Sequence, residues 1–248
     1  MYQAKLDGMW LFAQQLCKAL EDPAYIVVAK VNPDTNEVFS HGNWVGPKFT
    51  GISKATHVAP AKMGEIVLAG AGLDGKLVMT PVAGNELSFG WMGGVGQKGT
   101  IVAVSKWPQE FDRLLALLTL YHTIHEKLSL HHVGFRFTTP DEYETANASH
   151  KNGLIRPAED HERTYFPMTR YYREHQFVTN AVNDKPLRHW DFVCEQPEKL
   201  LAFIANAYGQ DPTFWKAGEN DPIGVSWVEA SSTGAKLGVM ARRTWWDV

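Results

Sequence analysis

The sequence predicts an α+β fold: an antiparallel sheet flanked by helices over residues 1–130, then a C-terminal region, 131–248, with a smaller β-α-β-β unit. Three observations carry this reading. Residues 6 to 20 have the apolar spacing of one amphipathic helix, and Pro108 starts a second, longer one. Between them lie β-branched runs separated by turn-forming residues, close enough together for hairpins. The resulting order over residues 1 to about 130, helix, two strands, short helix, three strands, helix, suggests one antiparallel sheet with helices packed on it.

The elements follow in order. Leu6, Met9, Trp10, Ala13, Leu16, Cys17 and Leu20 recur at i, i+3, i+4, i+7, and Pro23 forbids continuation of their helix. "YIVVAKV", the turn "NPDTN" and "EVFSHGNW" read as a β-hairpin. Gly46, Pro47 and Gly51 break any period from Val45 to Pro60, and a short helix follows from about Pro60 to Ala69 with proline in its first turn. "KLVMTPV", "ELSFGWM" and "GTIVAVSKW" read as three strands, with Gly84-Asn85 and "GGVGQKG" as their turns. The Pro108 helix then runs to about Leu128.

This element order is similar to that of the profilin-like, PAS/GAF-like and Roadblock-type architectures, over about half of the chain. The resemblance is one of order alone. No residue motif of those families is present, so it transfers no functional residue.

Beyond residue 130, "HHVGFRF" alternates like a strand, whereas the charged and aromatic stretch 154–186 supports no assignment. "LRHWDFVC", "QPEKLLAFIANAYG", "IGVSWVEA" and "AKLGVMARRTW" read as strand, helix, strand, strand, with Pro197 and Gly209 bracketing the helix.

The chain has 248 residues, 44% apolar and 21% charged, enough to build a core. Its net charge of −3 argues against a protein that works by neutralising nucleic-acid phosphates. Two distant cysteines, Cys17 and Cys194, make no disulfide framework. No secretory leader and no membrane-length apolar run is visible, so a cytoplasmic protein is expected.

Four of ten histidines fall in "YHTIHEKLSLHH", residues 121 to 132. At 100° per residue, Phe111, Leu114, Leu115, Leu118, Tyr121, Ile124 and Leu128 share a face. His122 and His125 fall within it, while Asp112, Arg113, Ala116, Thr119, Thr123 and Lys127 fall opposite. Two imidazoles one turn apart could share a metal ion or act as acid and base. Their order is not the zincin H-E-x-x-H, and helix-end histidines complementing the last carbonyls are the commoner case.

Other candidates carry their own alternatives. Asp160 and His161 could form a dyad. Arg163, Arg170, Tyr171 and Arg173 could bind an anionic ligand or belong to a solvated surface. Trp245 and Trp246 beside two arginines suit an interface or a buried edge strand. "GGVGQKG" lacks the hydroxyl residue of a P-loop and precedes a strand, so it reads as a turn. No G-x-S-x-G elbow is present.

With no complete catalytic signature, the expected function is non-catalytic binding of a protein partner or small ligand on this tryptophan-rich scaffold. Nine tryptophans support it. The alternative is a hydrolase or transferase using His122 and His125, with or without a metal, or the Asp160/His161 pair. No cofactor is indicated by any motif, and a homo-oligomer is compatible with both readings.

Overall fold

The computed structural model describes residues 2–20, 22–84, 88–137, 155–157, 169–172, 175–179, 187–209, 226–231 and 236–242. They fall into two compact units, Met1–Lys127 and Leu128–Val248.

In the first unit the order is α1 (Tyr2–Ala19), β1 (Ala24–Val31), β2 (Val38–Val45), α2 (Ala55–Leu68), β3 (Val78–Met79), β4 (Gly94–Gln97), β5 (Thr100–Ser105) and α3 (Gln109–Ile124). The strands form one antiparallel sheet in the order β2-β1-β5-β4-β3. This is the α+β class that the sequence predicts.

β1 and β5 are central, and their sequences say why. "AYIVVAKV" and "TIVAVS" are apolar almost without alternation, as a strand covered on both faces requires. Val27, Ala29, Val31, Ile101 and Ala103 pack against Ala59, Met63, Ile66 and Val67 of α2. Ile26, Val28, Val102 and Val104 have the opposite parity and are fully buried, on the face that α1 and α3 contact.

Three expectations are corrected here. α2 begins at Ala55, five residues before Pro60, which lies inside the helix. Ser53 supplies the entry: its Oγ accepts the Ala55 N–H at 3.2 Å, and its carbonyl accepts the Thr56 hydroxyl. Residues 88–92 of "ELSFGWM" form no strand; the strand lies in the glycine-rich segment read as a turn. Only Lys98 and Gly99, both at positive φ, turn the chain from β4 to β5.

Gly96 explains the tolerance of glycine in a strand, because a Cβ there would collide with the Ile66 side chain. The bare backbone lets α2 lie against the sheet. Finally, α3 is buried on more than its apolar stripe. Asp112, Ala116 and Thr119, assigned to the polar face, are each 2% exposed or less.

In the second unit, β6 (Ser129–Phe137), β7 (Ile155–Pro157), β8 (Thr169–Tyr172), β9 (His175–Thr179), β10 (Leu187–Val193), β11 (Ser226–Ser231) and β12 (Lys236–Arg242) form a sheet ordered β11-β12-β10-β6-β9-β8-β7. The β10/β12 and β6/β9 pairs are parallel and the rest antiparallel. α4 (Pro197–Ala207) packs on β11 and β12 through a stripe that includes Leu200, Leu201 and Ile204. Proline opens this helix, and Gly209 at φ 63° follows its end. Thus β10, α4, β11 and β12 supply the expected strand-helix-strand-strand succession, while β7 to β9 come from the stretch that the sequence left unassigned.

Candidate functional site: a cleft over a buried ion pair

α2 presents Ala55, Ala59, Lys62 and Ile66 on one stripe, all buried. Lys62 is therefore a cation on a core-facing stripe, and its ammonium must find partners there. It donates to the Val104 carbonyl at 2.6 Å and to Asp112 Oδ2 at 3.1 Å. Side-chain exposures are 2% for Lys62 and 3% for Asp112. The pair joins a helix packed on one sheet face to a helix packed on the other.

The meeting point is available because residue 93 is glycine. A Cβ on Gly93 would lie 2.6 Å from Asp112 Cβ and 3.0 Å from Lys62 Nζ, and its φ of +104° is one that side chains rarely adopt. Asp112 also organises the turn into α3: its Oδ1 accepts the Trp107 N–H at 3.0 Å. Lys106, before it, is held at φ +132°. A non-glycine residue at such an angle persists only where its surroundings fix it.

Burial dominates the electrostatics of both partners. It pushes the Asp112 carboxyl up from 3.8 to about 6, against the pull of Lys62 and of the Trp107 and Lys106 N–H groups. It lowers the Lys62 ammonium, against the pull of Asp112.

The pair forms the floor of a surface cleft of about 270 Å³. Ser53, Lys54, Ala55 and Val58 from the start of α2 line one side; Trp91, Ser105, Lys106, Trp107 and Gln109 line the other. The charge lining it is three lysines to one carboxylate. Lys106 shares its charge with Asp22 at 3.0 Å and lies 5.8 Å from the Phe49 ring centre. Among the described residues Lys54 makes no ion pair, and it sits at the N-terminus of α2, where the helix dipole adds positive potential. Trp91 is stacked on Phe89 at 5.0 Å and 19°. The cleft thus combines a fixed polar floor, one available cation and two half-buried indoles.

The histidines lie elsewhere in this unit. His122 stacks on Phe12 of α1, with centroids 3.8 Å apart and planes at 17°. His125 caps the C-terminus of α3, is exposed, and its Nε2 lies 3.1 Å from Gln97 Oε1. Burial, then Lys98, lowers its pKa below 6.5. Among the described residues no three His, Cys, Asp or Glu side chains cluster as a metal site would need. Arg170 and Tyr171 belong to β8, within which the backbone is described. Asp160, His161, Arg163, Arg173, Trp245 and Trp246 lie outside the described residues.

Compared with protein-family models, curated proteins and solved structures, the chain matches none. Among the described residues no helix is long and apolar enough to cross a membrane.

Sequence reasoning missed Lys54, Lys62, Trp91, Trp107 and Asp112. One signal was available: Lys62 is in helical phase with Ala55, Ala59 and Ile66 once the helix is started at Ala55. No comparable signal marked Asp112, because its partner comes from fifty positions away in sequence.

Proposed function

We propose that the first unit is a non-catalytic binding module, and that the cleft at the start of α2 takes a small organic anion carrying one planar ring. The observation that carries this reading is the union, in one cleft of about 270 Å³, of Lys54 and the α2 N-terminus with Trp91 and Trp107. The volume is just under the roughly 300–1,000 Å³ of sites for drug-sized ligands, which favours a ligand of about ten heavy atoms. An exposed cation beside a helix end suits the anionic group, and indole faces suit the ring. Lys62 and Asp112 hold the floor in shape and neutralise one another, which leaves Lys54 to set the sign of the site.

Isothermal titration with phenyl phosphate tests the reading. One saturable site is expected, with a dissociation constant of about millimolar or tighter. Lys54→Gln should weaken it about fivefold or more, and added salt should weaken it in the wild type. Heats that never saturate, or an affinity that ignores both Lys54 and salt, would overturn the proposal.

A further inference from the structure

We propose that the cleft is a proton-coupled anion site: the anion enters together with a proton, which Asp112 takes on Oδ2. This deepens the ligand reading of the cleft and rests on it. Lys62 and Asp112 both line the cleft, yet their side chains are only 2% and 3% exposed, so an occupant meets the pair as its floor. While both are ionised, that floor is neutral. A proton on Asp112 leaves it with the single positive charge of Lys62, which an anion favours.

The hydrogen-bonded frame survives that change. The Lys62 ammonium keeps the Val104 carbonyl at 2.6 Å, and Asp112 Oδ1 keeps the Trp107 N–H at 3.0 Å. Only Oδ2, 3.1 Å from Lys62 Nζ, changes its role. It retains a lone pair for Lys62 and gains an O–H that needs an acceptor, and an anion in the cleft that Asp112 lines supplies one.

An anion pushes the pair toward this state in two ways. It adds a like charge near the carboxylate, and it displaces water from the floor; both favour the neutral acid. Burial has already raised the Asp112 carboxyl to about 6, so at pH 7 about one molecule in ten holds the proton before any ligand arrives. The other titratable groups around Asp112 are few. Lys106 of the β5–α3 turn is held by Asp22 at 3.0 Å. Burial, then Asp22 and Asp112, push the Cys17 thiol of α1 well above its ordinary value, so it stays neutral near pH 7. On α3, Glu110 and Arg113 flank Asp112 in sequence, and Arg113 is tied to the Thr80 carbonyl at 3.2 Å. On α2, Lys54 lines the cleft and His57 precedes the lining residue Val58.

The test is isothermal titration of the full chain with benzenesulfonate. This ring-bearing anion keeps one charge throughout, whereas a phosphate monoester itself titrates at about 6. Runs at pH 7 in two buffers of different ionisation enthalpy count the protons exchanged. If the anion moves the carboxyl from about 6 to about 7, about 0.4 proton is taken up per ligand, and affinity rises about sevenfold from pH 8 to pH 5.5. His57→Gln should keep both results. Lys62→Met combined with Asp112→Asn removes both charges together, and should bind without proton uptake and with an affinity level across that range. Saturable binding to the wild type with no proton uptake at pH 7 would overturn the inference and leave the ligand reading standing. So would uptake that persists in the double variant or vanishes in His57→Gln. Absence of saturable binding to the wild type would overturn both.

Discussion

Replacing Lys62 by methionine keeps the apolar stem and removes the charge at the floor of the cleft. Two buried acceptors lose their donor, the Val104 carbonyl and Asp112 Oδ2. An unsatisfied buried carbonyl costs about 1–3 kcal/mol. The stranded carboxylate has a limit set by proton uptake. Holding it neutral at pH 7 against an ordinary pKa of 3.8 costs at most about 4 kcal/mol, at 1.36 kcal/mol per unit. Removal of Lys desolvation offsets part of this, so a net loss of about 3–5 kcal/mol is expected, the range for breaking a buried pair from one side.

Hydrogen exchange of the β5 amides, which lie on the fully buried strand beside the pair, reads this loss directly. Protection should fall by roughly 150- to 5,000-fold. Adding Asp112→Asn should restore most of it, because the amide accepts the Trp107 N–H without a charge to bury. The sign with pH is fixed as well. A carboxyl whose folded pKa is raised contributes its full stability below 3.8 and loses it as pH rises through the folded value. Without Lys62 that value rises further, so the deficit of Lys62→Met against the wild type must shrink from pH 7 to pH 4, by about 1 kcal/mol or more. Protection within threefold of the wild type, or a second substitution that only worsens the first, would refute the reasoning.

Two further perturbations probe the same framework. Gly93→Ala forces a Cβ into Asp112 and the Val104 carbonyl at a φ of +104°, so thermal unfolding should show a loss of about 2–4 kcal/mol; a neutral effect would mean that the strands do not meet there. His125 should titrate below 6.5 by proton NMR, and Lys98→Ala should raise its midpoint only part of the way, since burial is the larger cause. Because that pKa is depressed, His125 contributes stability that is present above 6.5 and lost as pH falls through its folded value.

How much of this was legible in the sequence depends on whether one element sufficed to write the signal. The β1/β2 hairpin and α1 were readable because their periods and turn residues are local. α4 was readable from a proline and a glycine at its ends. The start of α2 was not: Pro60 suggests a first turn, and only the Ser53 hydrogen bonds reveal an earlier entry. β4 was misread because glycine signals turns in general, and the Ile66 side chain that requires glycine belongs to another element. Asp112 was assigned to solvent since a wheel reads one helix at a time, and its partner is on α2. The cleft combines residues from α2, the loop before β4 and the β5–α3 turn. No local pattern encodes such a convergence, whereas the histidine cluster is legible because it lies within one stretch of twelve residues.

The most direct test of the ligand reading is a nitrogen–proton NMR titration of the tryptophan indoles with phenyl phosphate. The chain has nine tryptophans, each giving one side-chain N–H signal, assignable by single Trp→Phe replacement. The account predicts saturable shifts confined to Trp91 and Trp107, with a midpoint that Lys54→Gln moves about fivefold or more to higher ligand concentration. Shifts that fail to saturate, or that concentrate on Trp10, Trp44 or the tryptophans of the second unit, would contradict it.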